Sequence, residues 1–319
     1  MPYPRHLLVP PEAPGTYHCV SRCVRRAFLC GQDPVTGHSF EHRKAWLEAR
    51  IMELGDLFAV AIHAYAVMSN HIHLVLDVDP TVPADWSDED VARRWVTLAG
   101  AKDSDLPVEA RIGRLVGQPK RLAVLRERLG SLSWFMRFLK EPIARRANRE
   151  DGCTGRFWEG RFKTQALLDD AAVLACMAYV DLNPVRSGLV KWARDAPHTS
   201  LRKRVNDGHA PEARLTPVAA AIDSRAPAPS LAAYLCLVDW TGSALEAPQT
   251  PSIPSVAVPV LRTLGQRPQQ WLIQVPATES RYWRAIGAAH SLAERAREIG
   301  QRWLCGLGMA RAIEKMVAG

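Results

Sequence analysis

The chain has 319 residues, of which 47% are hydrophobic, and its formal net charge at pH 7 is +8. This length allows one large domain with an appendage or two domains, and the hydrophobic content argues against global disorder. No run of 18 apolar residues occurs, and the N-terminal apolar stretch is too short for a signal peptide. Seven scattered cysteines are typical of reduced thiols. We therefore expect a cytoplasmic protein with no membrane association.

The first third of the chain has the pattern of alternating strands and helices. Residues 14–30 resemble a first strand, and residues 41–55 have apolar side chains at helical spacing. Residues 57–67 and 71–78 are rich in β-forming residues and are separated by three residues, which predicts an antiparallel pair. Residues 80–130 are interpreted as an insertion that becomes helical toward its end.

The middle of the chain continues this alternation. Residues 131–149 form an amphipathic pattern, in which Pro142 predicts a kink or a break. A strand is predicted at 156–164, and a helix is predicted to begin at residues 169–170 and to end before Pro184. Since most strand connections look antiparallel, we predict an α+β fold in which one antiparallel sheet is sandwiched by helices.

The C-terminal third has a different composition. Residues 224–230 and 247–259 are rich in Pro, Ala and Ser, as linkers are, and the rest has the pattern of short helices. We predict a main domain at 1–205, with the insertion at 80–130, and a helical C-terminal extension at 206–319. The extension would serve either as an accessory binding or dimerising module or as a packing layer over one side of the sheet.

Basic residues are concentrated in one block. Residues 111–163 hold fourteen Lys or Arg against five Asp or Glu, whereas residues 79–109 hold eight acidic against three basic residues. The aromatic residues interleaved with the basic block are Trp134, Phe135, Phe138, Phe157, Trp158 and Phe162. Such a block indicates a polyanionic partner whose bases are available for stacking. The alternative is a solvated basic face over ordinary core aromatics.

His71 and His73 are the most informative pair in the sequence. Residues two apart on a strand point to the same face, so both imidazoles can bind one divalent ion. Two alternatives remain open: a pair of hydrogen-bonded core histidines, or a zinc hydrolase with the same spacing. The other histidines, His18, His63, His198 and His209, show no such pattern and are interpreted as ordinary core or surface residues.

Tyr179 and Asn183 form a second pair. Residues four apart on a helix share one face, so the phenol and the amide can reach one site together. A phenol has a pKa of about 10, and a bound cation can stabilise the negative charge that develops when it attacks a phosphate. The alternatives are a core or interface tyrosine and, for Asn183, a helix C-cap before Pro184.

These motifs together resemble the REP-associated tyrosine transposases, a group of single-tyrosine HUH transposases of the single-strand insertion-sequence type. The matching stretches are YAVMSNHIHLVL at 65–76, GRFWEGRFK at 155–163 and YVDLNPVRSGLV at 179–190. The resemblance covers about residues 10–200. It implies an HUH fold with a core similar to RRM and ferredoxin folds. The insertion and the region after residue 200 lie beyond the core pattern.

The resemblance also implies residue roles. His71 and His73 would be the HUH metal ligands and Tyr179 the nucleophile, and Asn183 stands where related transposases place a polar ligand. The implied cofactor is Mg²⁺ or Mn²⁺. The implied reaction is metal-dependent cleavage and strand transfer on hairpin-forming repeat DNA through a 5′-phosphotyrosine, as in DNA transposition.

The implied partner is single-stranded or hairpin DNA, bound by a monomer or a homodimer. Arg161, Lys163 and Arg186 are candidate phosphate contacts, and each of them has an alternative interpretation as an ordinary surface charge. Two other functions compete with transposition. One is a host-adopted DNA-binding protein with little or no catalysis. The other is a metal-dependent hydrolase that combines the histidine pair with Asp77 or Asp79.

Overall fold

The structure is a computed structural model that describes residues 4–24, 29–33, 35–100, 106–208, 210–247, 249, 251–279 and 284–318. Its strands are β1 (Gly15–Arg22), β2 (Val60–Val67), β3 (His71–Val78), β4 (Lys163–Leu167), β5 (Ala219–Ala220) and β6 (Ala285–Ile286). The helices of the first two thirds are α1 (Arg5–Leu8), α2 (His42–Leu57), α3 (Asp88–Ala99), α4 (Val108–Val116), α5 (Pro119–Leu129), α6 (Leu132–Glu150), α7 (Asp170–Arg186) and α8 (Ser200–Asn206). Those of the last third are α9 (Leu231–Glu246), α10 (Val258–Thr263), α11 (Pro268–Ala277), α12 (Ala289–Glu298) and α13 (Leu307–Ala318).

The six strands form one sheet in the order β5-β2-β3-β1-β4-β6. All neighbouring strands are antiparallel except β4 and β6, which run parallel. At the centre, β1 pairs with β3 from Gly15 opposite Val78 to Arg22 opposite His71. On its other side, β1 pairs with β4. This arrangement places β1 directly between the strand of the histidine pair and the strand that precedes α7.

Helices cover both faces of the sheet. Leu74 and Leu76 of β3 pack in one core with residues of α2 and α6. Val75 points to the other face and packs in a second core with residues of α7. Because successive strand residues alternate between the faces, the nearly unbroken apolar sequences of β2 and β3 are explained by burial on both sides. The predicted α+β sandwich is confirmed.

Helix α6 is not broken at Pro142. It runs uninterrupted from Leu132 to Glu150. Proline lacks the N–H that would donate to the carbonyl four residues earlier, which belongs to Phe138. Arg50 of α2 donates its Nε to that carbonyl oxygen at 3.2 Å. A side chain from the neighbouring helix therefore replaces the missing backbone donor.

Helix α7 extends past Pro184, where the sequence predicted its end. It includes the proline and ends at Arg186. Only one backbone hydrogen bond is lost at a proline, and here the loss falls in the last turn. Asn183 strengthens the same region, because its Nδ2 donates to the Tyr179 carbonyl at 3.0 Å. The phenol and the amide therefore belong to one continuous helix.

Two strand predictions are wrong in their limits. The strand predicted at 156–164 is β4, which begins only at Lys163. Phe157 and Trp158 ahead of it are buried, so these aromatics anchor an irregular segment against the core instead of alternating on a strand. The first strand was predicted to reach residue 30 and ends at Arg22, and residues 25–28 lie outside the described ranges.

The predicted insertion and extension both contribute helices. Helices α3, α4 and α5 lie within 80–130. In the last third, β5 pairs with β2 and β6 pairs with β4, so residues after 206 lengthen the sheet at both edges. Helices α9 and α11 pack against α7. The division of the chain into domains at residue 205 stays a prediction. No helix in the described ranges is long and apolar enough to cross a membrane.

A buried hydrogen-bond network joins α9 to α7. Asp181 of α7 accepts hydrogen bonds from the hydroxyl groups of Tyr234, at 2.6 Å, and Ser200, at 2.8 Å. Burial raises the pKa of Asp181, because the charged form loses its hydration. The buried guanidinium of Arg204 and these two donors offset that loss and favour the ionised carboxyl. The network fixes the helix of Tyr179 against the last third of the chain.

Replacing Tyr234 with Phe should lower the free energy of unfolding by about 1–3 kcal/mol, because a buried acceptor would lose a donor. Urea unfolding followed by circular dichroism measures this quantity. Tyr17→Phe is the matched control, since the Tyr17 hydroxyl is not bonded within the described ranges. Equal losses in the two variants would contradict the role of the network.

Candidate active site

The histidine pair of β3 faces helix α7. His71 and His73 lie on the same face as Val75, which packs in the core of α7. His73 is 3% exposed, and the centroids of the two imidazole rings are 4.8 Å apart. The period-2 geometry expected from the sequence is therefore observed, and both rings lie under the helix that carries Tyr179.

The Tyr179 ring lies directly beside these imidazoles. Its centroid is 5.7 Å from that of His73 and 5.9 Å from that of His18, with edge-to-face geometry in both cases. The phenol is 4% exposed. Residues about 100 positions apart in sequence are thus brought into one cluster, without a hinge or a second subunit.

His18 belongs to this cluster, although it was predicted to be an ordinary core or surface residue. It lies on β1, where it pairs with Val75 on one side and with Gln165 of β4 on the other. Residues opposite each other on neighbouring strands share a face, so His18 points toward α7. Its ring stacks on His73 at 5.1 Å. Only the pairing of β1 with β3 identifies it, and an isolated histidine on a predicted strand carries no such signal.

Hydrogen bonds fix the orientation of the imidazole rings. His18 Nδ1 lies 2.7 Å from Gln165 Oε1, and His18 Nε2 lies 2.9 Å from His73 Nδ1. His71 Nδ1 lies 2.6 Å from Asn70 Oδ1. His73 Nε2 is buried and has no hydrogen-bond partner within the described residues. One buried nitrogen is thus left with its bonding capacity unused at the centre of the cluster.

Burial keeps these imidazoles neutral. It lowers the pKa of His18 and of His71 to about 4, and it lowers the pKa of His73 well below its ordinary value. Arg22, which pairs with His71 across β1 and β3, also lowers the pKa of His71 by charge repulsion. Neutral imidazoles present lone pairs, which metal binding requires.

The electrostatic surroundings of the phenol are mixed. Burial raises the pKa of Tyr179, and the carboxylate of Glu279 raises it further, whereas Arg186 lowers it. The Arg186 guanidinium carbon lies 5.2 Å from the centroid of the phenol ring and forms an ion pair with Glu279 at 2.5 Å. The phenol is therefore protonated at neutral pH, and the cation beside it is already paired with a carboxylate.

The side chains near the pair that have the chemistry of metal ligands are two imidazoles and the amide of Asn183. No group of three His, Cys, Asp or Glu side chains is arranged to hold a metal within the described ranges. His18 does not supply a third nitrogen to such a group, because its Nε2 is engaged with His73 Nδ1. Asn183 lies one turn after Tyr179 and donates its Nδ2 to the Tyr179 carbonyl, so that hydrogen bond leaves its side-chain oxygen unused.

The acidic residues of the hydrolase alternative lie elsewhere. Asp77 is four residues from His73 along β3, a separation of about 13 Å. It binds Arg225 at 2.5 Å, and Asp79 binds the same guanidinium at 2.9 Å. These carboxylates therefore do not meet the imidazole pair.

The three candidate phosphate contacts are placed differently. Lys163 and His73 both pair with Val20, so the lysine lies on the face of the imidazoles. Arg186 lies beside the phenol. Arg161 lines a groove next to Lys140 of α6, a helix on the opposite face of the sheet. Two of the three cations thus lie on the side of the sheet that carries the cluster.

The remaining histidines are accounted for separately. His63 is buried on β2, with its Nε2 3.8 Å from an Asp77 carboxylate oxygen. His198 is hydrogen-bonded to Glu48 at 2.7 Å. Neither belongs to the cluster at Tyr179, which agrees with their interpretation as core or surface residues. His209 lies outside the described residues.

Comparison with known proteins yields one distant similarity. No family model matches the chain, and no curated protein matches it. Among solved structures, it is similar to a REP-associated tyrosine transposase bound to a REP hairpin. That similarity covers 66% of this chain and 90% of that chain, at 16% sequence identity and a TM-score of 0.32. Values this low leave the residue roles to be argued from the site itself.

Proposed function

We propose that this chain is a tyrosine transposase that cuts single-stranded DNA beside a hairpin and joins strand ends through a 5′-phosphotyrosine. The observation that carries the proposal is the Tyr179 ring 5.7 Å from the His73 ring, on the face that also holds His71. The motifs that contain these three residues resemble those of the REP-associated tyrosine transposases. Both the chemistry of the cluster and its sequence pattern support the same reaction.

His71, His73 and the side-chain oxygen of Asn183 would hold the Mg²⁺ or Mn²⁺ ion. The ion would polarise the scissile phosphate and offset negative charge in the transition state. Two imidazole ligands favour Mn²⁺, because Mg²⁺ prefers oxygen ligands. The buried Nε2 of His73 has no partner in the part of the chain that the structure describes, which supports this assignment, since an unpartnered buried nitrogen is costly unless a ligand uses it.

The covalent step exchanges one phosphate ester for another. The Tyr179 oxygen forms a bond to the phosphorus as the bond to the 3′ oxygen of the preceding nucleotide breaks. The phenol proton is released to water, and the departing oxygen takes up a proton to become a free 3′-OH. A second 3′-OH can then attack the phosphotyrosine and restore the phenol. No nucleotide hydrolysis is needed, because the ester bond is conserved.

Cations around the cluster would bind the DNA backbone. Arg186 lies against the phenol ring, Lys163 lies on the face of the imidazoles, and Arg22 pairs with His71. Sequence reasoning missed Arg22, because its position opposite His71 follows only from the register of β1 on β3. Phosphate contacts of this kind fix the position of a strand without reading its bases.

Glu279→Gln should strengthen binding to single-stranded DNA about 2–5-fold at low salt, because the Glu279 carboxylate competes with phosphate for Arg186. The gain should shrink at high salt, where exposed charges are screened. Fluorescence anisotropy with a labelled oligonucleotide measures both effects. Glu109→Gln removes an equal charge from an exposed ion pair with Arg93 and serves as the control. An identical gain in both variants would show only a change in net charge.

The decisive experiment incubates the protein with a labelled hairpin strand and Mn²⁺ and separates the products on a denaturing gel. A protein–DNA band that resists denaturation supports the proposed reaction. Duplex and unstructured strands of equal length test the need for a hairpin, and equal yields from all three would remove hairpin recognition from the proposal. Hairpin binding with no such band would favour the alternative of a DNA-binding protein without catalysis.

A further inference from the structure

We propose that Gln165 and His18 are positioning residues that hold the proton of His73 on Nδ1, so that Nε2 of His73 is the atom that binds the metal ion. This inference rests on the proposed function for the identity of the ligand. It adds two residues, on β4 and β1, that no sequence motif marks. They lie on the same face of the sheet as His73, and hydrogen bonds connect Gln165 to His18 and His18 to His73.

The first step is the direction of the hydrogen bond between Gln165 and His18. Gln165 directs its Oε1 at His18 Nδ1, at 2.7 Å. An amide oxygen only accepts hydrogen bonds, so His18 Nδ1 carries the proton. His18 is 2% exposed and contacts no carboxylate of the described residues, and a buried imidazolium without a counter-ion is costly. Neutral His18 therefore leaves its Nε2 as an acceptor.

The second step is the direction of the hydrogen bond between His18 and His73. His18 Nε2 and His73 Nδ1 are 2.9 Å apart, so one of these nitrogens must donate and the other accept. Since His18 Nε2 accepts, His73 Nδ1 donates. The only remaining nitrogen of His73 is Nε2, which is buried without a partner within the described residues. A proton there would be a buried, unsatisfied donor, whereas a lone pair there is a ligand.

The same arrangement occurs at His71. Its Nδ1 lies 2.6 Å from Asn70 Oδ1, so the amide oxygen accepts the Nδ1 proton and Nε2 keeps its lone pair. Both imidazoles of the pair would then present Nε2. The acceptor for His71 Nδ1 is the adjacent residue in sequence, Asn70. The acceptor for His73 Nδ1 is His18 on β1, which is itself hydrogen-bonded to Gln165 on β4. Outer hydrogen bonds of this kind hold a metal-binding imidazole in one tautomer and orientation.

Gln165→Leu and His18→Leu should weaken Mn²⁺ binding about 10–100-fold, which is the usual effect of losing such a hydrogen bond. Electron paramagnetic resonance of free Mn²⁺ in a titration of the full chain measures this affinity without DNA. Gln270→Leu removes a buried glutamine of the last third and is the matched control. Melting temperatures establish that each variant is folded.

A second measurement reads the tautomer itself. In the metal-free protein labelled with ¹⁵N-histidine, nuclear magnetic resonance should show His73 with a protonated Nδ1 and an unprotonated Nε2. In Gln165→Leu the two tautomers should mix, while His71 should be unchanged because Asn70 is intact. If Gln165 only filled space, the ¹⁵N chemical shifts of His73 would be the same in Gln165→Leu as in the unmodified protein.

The outcomes separate this inference from the proposed function. A proton on Nε2 of His73 in the unmodified protein would overturn the inference, whether or not Mn²⁺ binds. Unchanged Mn²⁺ affinity in folded Gln165→Leu and His18→Leu would also overturn it. The expected tautomer together with no Mn²⁺ binding at all would uphold the positioning of the proton and contradict the proposed function.

Discussion

Tyr179→Phe should abolish the covalent protein–DNA adduct and leave DNA binding nearly unchanged. The substitution removes one oxygen and keeps the ring that packs against His73 and His18 at 5.7 and 5.9 Å. Loss of a nucleophile typically reduces the rate by about 10⁴-fold or more, since nothing else forms the bond. The denaturing gel measures adduct formation, and anisotropy with the same hairpin measures binding.

The control for this substitution is another tyrosine close to the cluster. Tyr17 is adjacent to His18 on β1, and its side chain packs in the core on the other face of the sheet. Tyr17→Phe should keep both binding and adduct formation. An adduct of normal yield from Tyr179→Phe would mean that another residue is the nucleophile and would end the assignment of Tyr179.

His71→Ala and His73→Ala should each eliminate Mn²⁺-dependent cleavage and most Mn²⁺ binding. Each removes a nitrogen that would bind the ion directly, so the loss of affinity should exceed the 10–100-fold expected for a supporting hydrogen bond. The Mn²⁺ titration and the adduct gel measure the two effects. Chelation by EDTA should reproduce the loss of cleavage in the unmodified protein.

His63→Ala is the matched control for the histidine variants. His63 is as buried as His73, at 2% exposure, and lies on the neighbouring strand β2. It belongs to the surroundings of Asp77, so its removal should cost stability without changing Mn²⁺ affinity. Cleavage that survives in EDTA, or in both folded variants of the histidine pair, would exclude a metal from the reaction.

Much of the fold follows from local patterns in the sequence. The antiparallel pairing of β2 and β3 and the amphipathic α6 were predicted, because strand and helix periods are set by side chains a few positions apart. Element limits were less accurate. The end of α7 was placed before Pro184, and of the kink or break predicted at Pro142 the break does not occur, because the effect of a proline depends on other donors nearby. Arg50, 88 residues from the carbonyl it binds, is such a donor.

The sequence by itself determined which residues could share a site: His71 with His73 on one strand face, and Tyr179 with Asn183 on one helix face. Only the tertiary structure decided which of the other residues join them. His18 and Gln165 reach the imidazole pair through the register of three strands, and Glu279 reaches Arg186 through the packing of the last third against α7. The physical reason is that side chains repeat every two residues on a strand and every 3.6 residues on a helix, so residues a few positions apart in sequence determine which of them share a face. Contacts between residues far apart in sequence, such as the pair His18 and Gln165, depend on how whole elements pack.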